Sequence, residues 1–258
     1  MSETPDFVAL SQVMAQSHQA FPHLSEGLLL IDKPSAITSF GVVARIRKQT
    51  GVARVGHAGT LDPFATGILV VALGRTYTRQ LSLIQGLPKS YVVRMVLGIE
   101  TDTLDRDGQI LRQDPGVVGI GITAAQVAAV LPRFVGELSQ IPPIFSAKKV
   151  DGKRNYERAR AGEAVLPQAA VVQVYGIEML DFVPGAYPVV TLDIACGKGT
   201  YIRSVVRDIA AVLGTVAYAK DLVRTVVGDW QLAACMGGET WAMRQNDKGN
   251  ELADNGNI

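Results

Sequence analysis

Residues 56–67 read Gly56-His57-Ala58-Gly59-Thr60-Leu61-Asp62-Pro63-Phe64-Ala65-Thr66-Gly67. In this segment three glycines surround an aspartate that stands directly before a proline. The proline pushes Asp62 towards an extended conformation, and the glycines permit positive φ angles and close approach of a ligand to the backbone. A carboxylate on such an open, rigid loop suits a nucleophile. Taken alone, the loop could also be an ordinary Asx-Pro turn before a strand.

Upstream of this loop the sequence predicts one strand and one helix. The apolar run Gly27–Ile31 is expected to end at Asp32-Lys33-Pro34, because proline cannot continue a strand ladder. Ser39 is expected to cap a helix that ends at Gly51 in a left-handed conformation. The apolar side of that helix is predicted to comprise Phe40, Val43, Ala44 and Ile46.

Downstream of the loop, apolar runs predict further strands at Ile68–Leu73, Tyr91–Leu97, Val171–Leu180 and Pro188–Cys196. A capping box of Thr123 and Gln126 predicts one helix. Another helix is predicted to begin at Thr200 and to stop at Gly214, with an apolar stripe of Ile202, Val205, Val206, Ile209 and Leu213. Because strands and helices are intermixed without strict alternation, we expect an α+β fold with a mixed sheet and not a doubly wound one.

Positive charge is concentrated in two parts of a chain whose formal net charge is only +1 at pH 7. Between Lys33 and Leu61 there is no acidic residue, and the basic residues are Lys33, Arg45, Arg47, Lys48 and Arg54. Between Phe145 and Gly162 two acids face six basic residues, namely Lys148, Lys149, Lys153, Arg154, Arg158 and Arg160. Either stretch could be a solvated face, but two of them favour a phosphate-binding surface.

The cysteines and histidines do not have the spacing of a metal site or of a disulfide framework. Cys196 and Cys235 are therefore predicted to be small buried apolar residues, and we expect no structural metal. No apolar run approaches the roughly 18 residues of a membrane span, and the acidic start lacks the basic region of a signal peptide. These features predict a cytoplasmic protein without a membrane partner.

Arg203 falls at the start of the helix predicted from Thr200, where the helix dipole disfavours a cation. An acidic partner should compensate it. If that partner is Asp62, the ion pair would hold the carboxylate in place and favour its charged form. A surface ion pair elsewhere is the alternative.

Several multi-residue motifs occur together and in order between about Gly27 and Trp230. They are residues 56–67; Asp32-Lys33-Pro34 with Ser39; Lys89-Ser90-Tyr91; Thr101-Asp102-Thr103 with Asp105 and Gly108; Pro142-Pro143 with Ser146-Ala147-Lys148-Lys149; Gly152, Tyr156 and Ala159-Arg160; Gly197-Lys198-Gly199-Thr200-Tyr201-Ile202-Arg203; and Leu222 with Arg224-Thr225. This set resembles the TruB family of tRNA pseudouridine synthases, which is related to the guide-RNA-dependent dyskerin enzymes.

The resemblance implies a mainly antiparallel pseudouridine-synthase sheet flanked by helices and loops. It also implies a cofactor-independent isomerase that flips a T-loop uridine out of tRNA. Asp62 resembles the family's nucleophile and Arg203 its salt-bridge partner. Tyr91 resembles the aromatic residue that stacks on the flipped uracil and is a candidate for the late proton abstraction, with an ordinary strand tyrosine as the alternative.

Further residues are expected to contact the RNA or to order the site. His57 resembles the residue that fills the stack after the uridine leaves, although it could simply order the loop. Lys33, Lys149 and Tyr201 are expected to order the site or to hold phosphate. The remaining predicted RNA contacts are Gly59, Thr60, Lys153 and Arg158.

We predict three parts: an N-terminal extension (1–26), a catalytic domain (27–241) and a polar, frayed tail (242–258). Too few residues follow Arg224 to build the PUA RNA-binding domain of many bacterial relatives. The expected partner is the T arm of tRNA, bound by a monomer that needs no protein partner.

Other functions fit the sequence less well. Residues 197–200 lack the glycine spacing of a phosphate loop, and residues 103–114 imitate a calcium loop but fit a hairpin turn better. A uridine methyltransferase would need a glycine-rich cofactor loop, which the sequence lacks. A non-catalytic RNA-binding or tRNA-folding module is the rival from a different class, and the joint presence of Asp62, Tyr91 and Arg203 argues against it.

Overall fold

The computed structural model describes residues 24–114, 121–145, 149–150, 153–154 and 167–236. The predicted polar tail, most of the predicted N-terminal extension, Arg158, and the side chains of Lys149 and Lys153 lie outside the described residues. The chain divides into two compact units. The first contains the described residues up to Gln85 and those from Asp229 onwards, and the second is Gly86–Gly228.

The first unit is a small antiparallel sheet covered by a helix. Its strands are β1 (Gly27–Lys33), β2 (Val55–Ala58) and β3 (Thr66–Leu73), and both β1 and β2 pair with β3. Helix α1 (Ser39–Thr50) packs Val42, Val43 and Ile46 against the apolar side chains of this sheet. Two short helices follow, α2 (Gly74–Thr78) and α3 (Leu81–Gly86).

The second unit contains a five-stranded antiparallel sheet in the order β12-β4-β11-β10-β7. These strands are β4 (Lys89–Leu97), β7 (Gly136–Gln140), β10 (Ala170–Val183), β11 (Val189–Cys196) and β12 (Ala217–Val227). Its helices are α4 (Ala124–Val130), a 3-10 turn (Leu131–Phe134) and α5 (Ile202–Val212). Helix α5 packs against β4 and β12 and buries Ile202, Val205, Val206 and Ile209.

Short elements complete the described residues. β5 (Ile99–Thr101) pairs with β6 (Ile110–Gln113), and β8 (Lys149–Val150) pairs with β9 (Lys153–Arg154). β13 (Trp230–Gln231) and a 3-10 turn (Leu232–Ala234) belong to the first unit. No helix among the described residues is both long enough and apolar enough to cross a membrane.

The predicted α+β class and the mainly antiparallel sheet are confirmed. The left-handed cap at Gly51 and the capping box of Thr123 and Gln126 are also confirmed. Two predictions about helix starts are wrong. α1 is capped by Thr38, whose hydroxyl accepts the Gly41 N–H at 2.9 Å, and α5 begins at Ile202 and not at Thr200.

The predicted buried side of α1 is wrong in two of its four residues. Phe40 is 65% exposed and Ala44 is exposed, whereas Ser39 and Val42 are buried with Val43 and Ile46. Two overlapping sets of residues in this segment have helical spacing, and the helix buries the set that contains Ser39. A serine can occupy that interior position because its hydroxyl is hydrogen-bonded there.

Candidate active site

The loop that carries Asp62 joins β2 to β3 and comprises residues 59–65. It is shorter than predicted, because residues 56–58, including the half-buried His57, belong to β2. The Asp62 carbonyl accepts the Ala65 N–H at 3.1 Å, which makes a tight turn with proline at its second position. Leu61 and Phe64 are buried on either side while Asp62 is half-buried. The apolar neighbours therefore anchor the loop and leave Asp62 near the surface of its unit.

The three glycines of this segment serve different purposes. Gly59 and Gly67 have φ angles of 70° and 95°, in the left-handed region that favours glycine. Gly56 lies in a strand with no positive φ, and a Cβ there would stand 2.8 Å from a Leu81 methyl group. The predicted positive φ is therefore correct for two glycines, and the third permits close packing.

Ser39 holds the residue before Asp62 by two hydrogen bonds. Its hydroxyl accepts the Leu61 N–H at 2.9 Å and donates to the Leu61 carbonyl at 3.1 Å. Both partners are buried, so an unmade bond here would leave a polar group without water. This contact ties the first turn of α1 to the loop, and it explains why a serine occupies an interior position of that helix.

Lys33 holds the residue after Asp62. The lysine is fully buried, and its ammonium group donates to the carbonyls of Pro34, Ile37 and Pro63 at 2.9, 2.8 and 3.2 Å. The Pro63 carbonyl also accepts the Ala36 N–H at 2.9 Å. An ammonium has three N–H donors, and three carbonyls match that number. Of the two roles predicted for Lys33, ordering the loop therefore fits the geometry better than holding phosphate.

In the second unit, Tyr91 is a buried residue of β4, the strand between β11 and β12. In register it faces Ile194 of β11 and Arg224 of β12. Arg224 is buried as well, so a guanidinium lies on the strand that borders Tyr91. A tyrosine in this setting has its backbone fixed by ladders on both sides.

Lys89 precedes Tyr91 by two residues in β4 and faces Cys196 of β11. Its ammonium group donates to the Leu87 carbonyl. Burial, together with the nearby Arg224, lowers the pKa of Lys89 to about 8. Burial also raises the pKa of the Cys196 thiol to about 11, which agrees with the predicted role of Cys196 as a small buried residue. The basic side chains of Lys89 and Arg224 are thus both buried near Tyr91.

Arg203 lies in the first turn of α5 and is only 3% exposed. Its guanidinium lies 3.2 Å from the Asp105 carboxylate and also donates to the carbonyls of Thr103 and Phe145. The acidic compensation predicted at this helix start is therefore present, and Asp105 supplies it. Pairing of Arg203 with Asp62 stays a prediction.

Asp105 has further partners in its own turn. Its carboxylate accepts the Thr103 hydroxyl at 2.6 Å and the Asp107 N–H at 3.1 Å. The Gln109 N–H donates to the Asp102 carboxylate at 2.8 Å, which closes the turn between β5 and β6. The segment that imitates a calcium loop is thus a hairpin turn, as predicted. Asp105 was marked in the sequence by its place after the motif Thr101-Asp102-Thr103, but its partner Arg203 is remote in sequence.

Tyr201 is the residue before α5, and Gln140 fixes its backbone. The Tyr201 N–H donates to the Gln140 side-chain oxygen at 2.8 Å, and the Gln140 amide donates to the Tyr201 carbonyl at 3.2 Å. Sequence reasoning missed Gln140, which is buried at the end of β7. Like Ser39 at the Asp62 loop, a polar side chain holds both backbone groups of one residue.

The remaining predicted RNA contacts are placed only in part. Lys149 and Arg154 are paired in the β8–β9 hairpin, as are Val150 and Lys153. Arg158 lies outside the described residues. Among the described residues, no group of three histidine, cysteine, aspartate or glutamate side chains is arranged to hold a metal ion.

The family model described as "TruB family pseudouridylate synthase (N terminal domain)" matches residues 47–202. A tRNA pseudouridine synthase B of Protochlamydia amoebophila (strain UWE25) is 40% identical over 236 residues, which cover 92% of this chain and 87% of that relative. This chain belongs to the TruB family. As a member of a family of pseudouridine synthases it is an isomerase, and the predicted family and enzyme class are confirmed.

Further comparisons agree with this membership of the TruB family. A tRNA pseudouridine synthase B of Caulobacter vibrioides is 42% identical over 214 residues, covering 83% of this chain and 67% of that relative. The fold is similar to that in a crystal structure of a Cbf5-Nop10-Gar1 complex. The TM-score is 0.63 at 27% identity, and the match covers 90% of this chain and 62% of that one.

Proposed function

We propose that this TruB-family chain isomerises a uridine in the T-loop of tRNA to pseudouridine, with Asp62 as the nucleophile. The observation that carries the proposal is the rigid loop in which Asp62 stands, held from Ser39 on one side and from Lys33 on the other. Relatives about 40% identical over most of this chain are named tRNA pseudouridine synthase B, which supports tRNA as the substrate.

The reaction needs one nucleophile and two proton movements. The bond between ribose C1′ and uracil N1 breaks, the base rotates, and a bond between C1′ and C5 forms. The proton on C5 leaves while N1 gains one, so the product is an isomer and no electron is exchanged. Asp62 attacks either the uracil ring or the anomeric carbon. Because nothing is transferred to a second molecule, the chemistry requires no cofactor.

The target base must first leave the folded tRNA elbow. Extrusion of a stacked base costs a few kcal/mol. Stacking of the uracil on Tyr91 is worth about 1–3 kcal/mol and would offset much of that cost. We assign the stacking to Tyr91, with its hydroxyl as candidate base for the C5 proton, and the filling of the vacated stack to His57.

Other assignments follow the resemblance position by position. Gly59 and Thr60 belong to the same loop and are proposed to contact the flipped nucleotide. Arg203 is proposed to pair with the nucleophile, and Tyr201 to order the site. Lys149, Lys153 and Arg158 are proposed to bind phosphate together with the basic stretch of α1. Action on tRNA by a monomer in the cytoplasm completes the proposal.

The test is incubation of the protein with an unmodified tRNA transcript, followed by pseudouridine mapping by carbodiimide treatment and primer extension. The wild type should modify the T-loop uridine, and a transcript with cytidine at that position should remain unmodified. Asp62→Asn should bind the transcript and form no pseudouridine, because the amide keeps the shape and loses the anionic nucleophile. Modification at another uridine would refute the substrate site, and turnover by the Asn variant would refute the role of Asp62.

A further inference from the structure

Phe40 is an exposed aromatic residue at the second position of α1. It is 65% exposed, although the same helix buries Val42, Val43 and Ile46. Single exposed apolar side chains are common and need no explanation by themselves. Two further features of this helix, its charge and its attachment to the Asp62 loop, point to a function for the exposed Phe40 side chain.

The first feature is charge. The exposed face of α1 contains Arg45 and Lys48, and no acidic residue occurs anywhere between Lys33 and Leu61. With a rise of about 1.5 Å per residue, Lys48 lies about 12 Å along the helix from Phe40 and, at i+8, on the same side. Phe40, Ala44 and Lys48 thus form one stripe, with Arg45 beside it. Arg47 donates to the Val55 carbonyl at 3.1 Å and is left out of this set.

The second feature is position. Ser39, the residue before Phe40, makes both hydrogen bonds to Leu61, the residue before Asp62. Phe40 is therefore fixed next to the loop that carries the proposed nucleophile, within the same unit. A nucleotide held on α1 would be a near neighbour of the one that reaches Asp62.

We propose that this face of α1 binds a single-stranded segment of the substrate RNA, with Phe40 stacking on an unpaired base and Arg45 and Lys48 binding phosphates. The occupant is RNA because an exposed aromatic residue beside cations, on a helix without acidic residues, suits unpaired nucleotides regardless of sequence. This inference rests on the proposed function, since it assigns a contact to the same substrate.

Two kinds of variant separate stacking from charge. Phe40→Leu keeps the apolar character and loses the aromatic face, so it should weaken binding of an unmodified tRNA transcript by about tenfold. Because the residue is neutral, the dependence of log K on log salt should keep its wild-type slope. Arg45→Gln with Lys48→Gln should reduce the magnitude of that slope by about 1.4–1.8, which corresponds to two phosphate contacts. Phe40→Trp, which keeps an aromatic face, should bind the transcript with wild-type affinity.

The matched control is Leu83→Ala in α3, an apolar residue that is 56% exposed in the same unit and should leave tRNA affinity unchanged. Steady-state kinetics add a second readout: Phe40→Leu should raise KM by about tenfold and change kcat at saturating tRNA less than about twofold. Circular dichroism of each variant should show the wild-type unfolding midpoint, because every substituted side chain is exposed.

Wild-type affinity in Phe40→Leu would overturn the inference, as would a loss confined to kcat. A change of oligomeric state in gel filtration with unchanged tRNA affinity would also overturn it, because the occupant would then be a second copy of this chain. If the wild type formed no pseudouridine, the proposed function would fail, and the tRNA affinities of the variants would still decide whether α1 binds RNA.

Discussion

Two aspartates of this chain are held by opposite means. The segment around Asp62 is fixed through backbone atoms, by Ser39, by Lys33 and by the turn to Ala65. Asp105 is fixed through its carboxylate, which is 6% exposed and contacts Arg203, Thr103 and Asp107. A carboxylate that compensates a buried guanidinium cannot change partners without a large loss of stability. Backbone anchoring instead fixes the position of a residue whichever groups its carboxylate contacts, which suits a reacting group.

The largest expected effect tests the structural member of this pair. Asp105→Asn should lower the free energy of unfolding by about 3–5 kcal/mol, because it removes one partner of the buried ion pair with Arg203. Urea unfolding measures this. The matched control is Asp221→Asn, which removes the surface contacts to Arg94 at 3.4 Å and Arg106 at 2.8 Å. Exposed pairs of this kind are worth about 1 kcal/mol or less. Equal losses of unfolding free energy in the two variants would contradict the structural role assigned to the Asp105 carboxylate.

A slightly smaller effect concerns Lys89 and pH. Its folded pKa of about 8 lies below the ordinary value of 10.5, so between these two values the unfolded chain binds more protons than the folded one. Stability should therefore rise with pH in that window. Relative to Lys89→Met, the wild type should gain about 2–3 kcal/mol in unfolding free energy between pH 7.5 and 10. Below pH 7.5 the difference in unfolding free energy between the two proteins should be constant. A difference that stays constant up to pH 10 would contradict the lowered pKa of Lys89.

The smallest predicted effect on stability sharpens the account of the loop. Ser39→Ala should cost about 1–3 kcal/mol, since it leaves the buried Leu61 N–H unsatisfied, and it should also lower kcat by loosening the residue next to Asp62. Thr38→Ala is the control, because it removes the cap of the same helix at a cost of about 0.5–2 kcal/mol without touching the loop. A fall in kcat in both variants would mean that helix stability, and not the clamp, matters.

Local signals in the sequence were sufficient for much of the fold. The Gly51 cap and the capping box at Thr123 are decided by neighbouring residues, and both are as predicted. The strand β12 was not predicted. Lys220, Asp221 and Arg224 interrupt its apolar pattern, yet Arg224 is buried in the folded sheet, where it pairs in register with Tyr91 of β4. Burial that depends on residues distant in sequence leaves no local trace.

The site divides in the same way. The glycines and the proline around Asp62 predicted its loop, and the apolar run that begins at Tyr91 predicted its strand, in both cases from residues that are adjacent in sequence. The partners Asp105 for Arg203 and Gln140 for Tyr201 could not be read from spacing, because 97 and 60 residues separate them. Phe40 shows the converse: its apolar character suggested burial, and only the packing of α1 reveals its exposure.

The central claim is that Asp62 is the reacting carboxylate, on a loop that backbone contacts to Ser39 and Lys33 hold in place. Single-turnover pseudouridine formation at saturating tRNA, with urea unfolding of the same preparation, tests it for Asp62→Asn. The account predicts that the variant stays folded, with a cooperative unfolding transition, and that its rate is lower by about a thousandfold or more. A folded Asn variant with a rate near that of the wild type would contradict it.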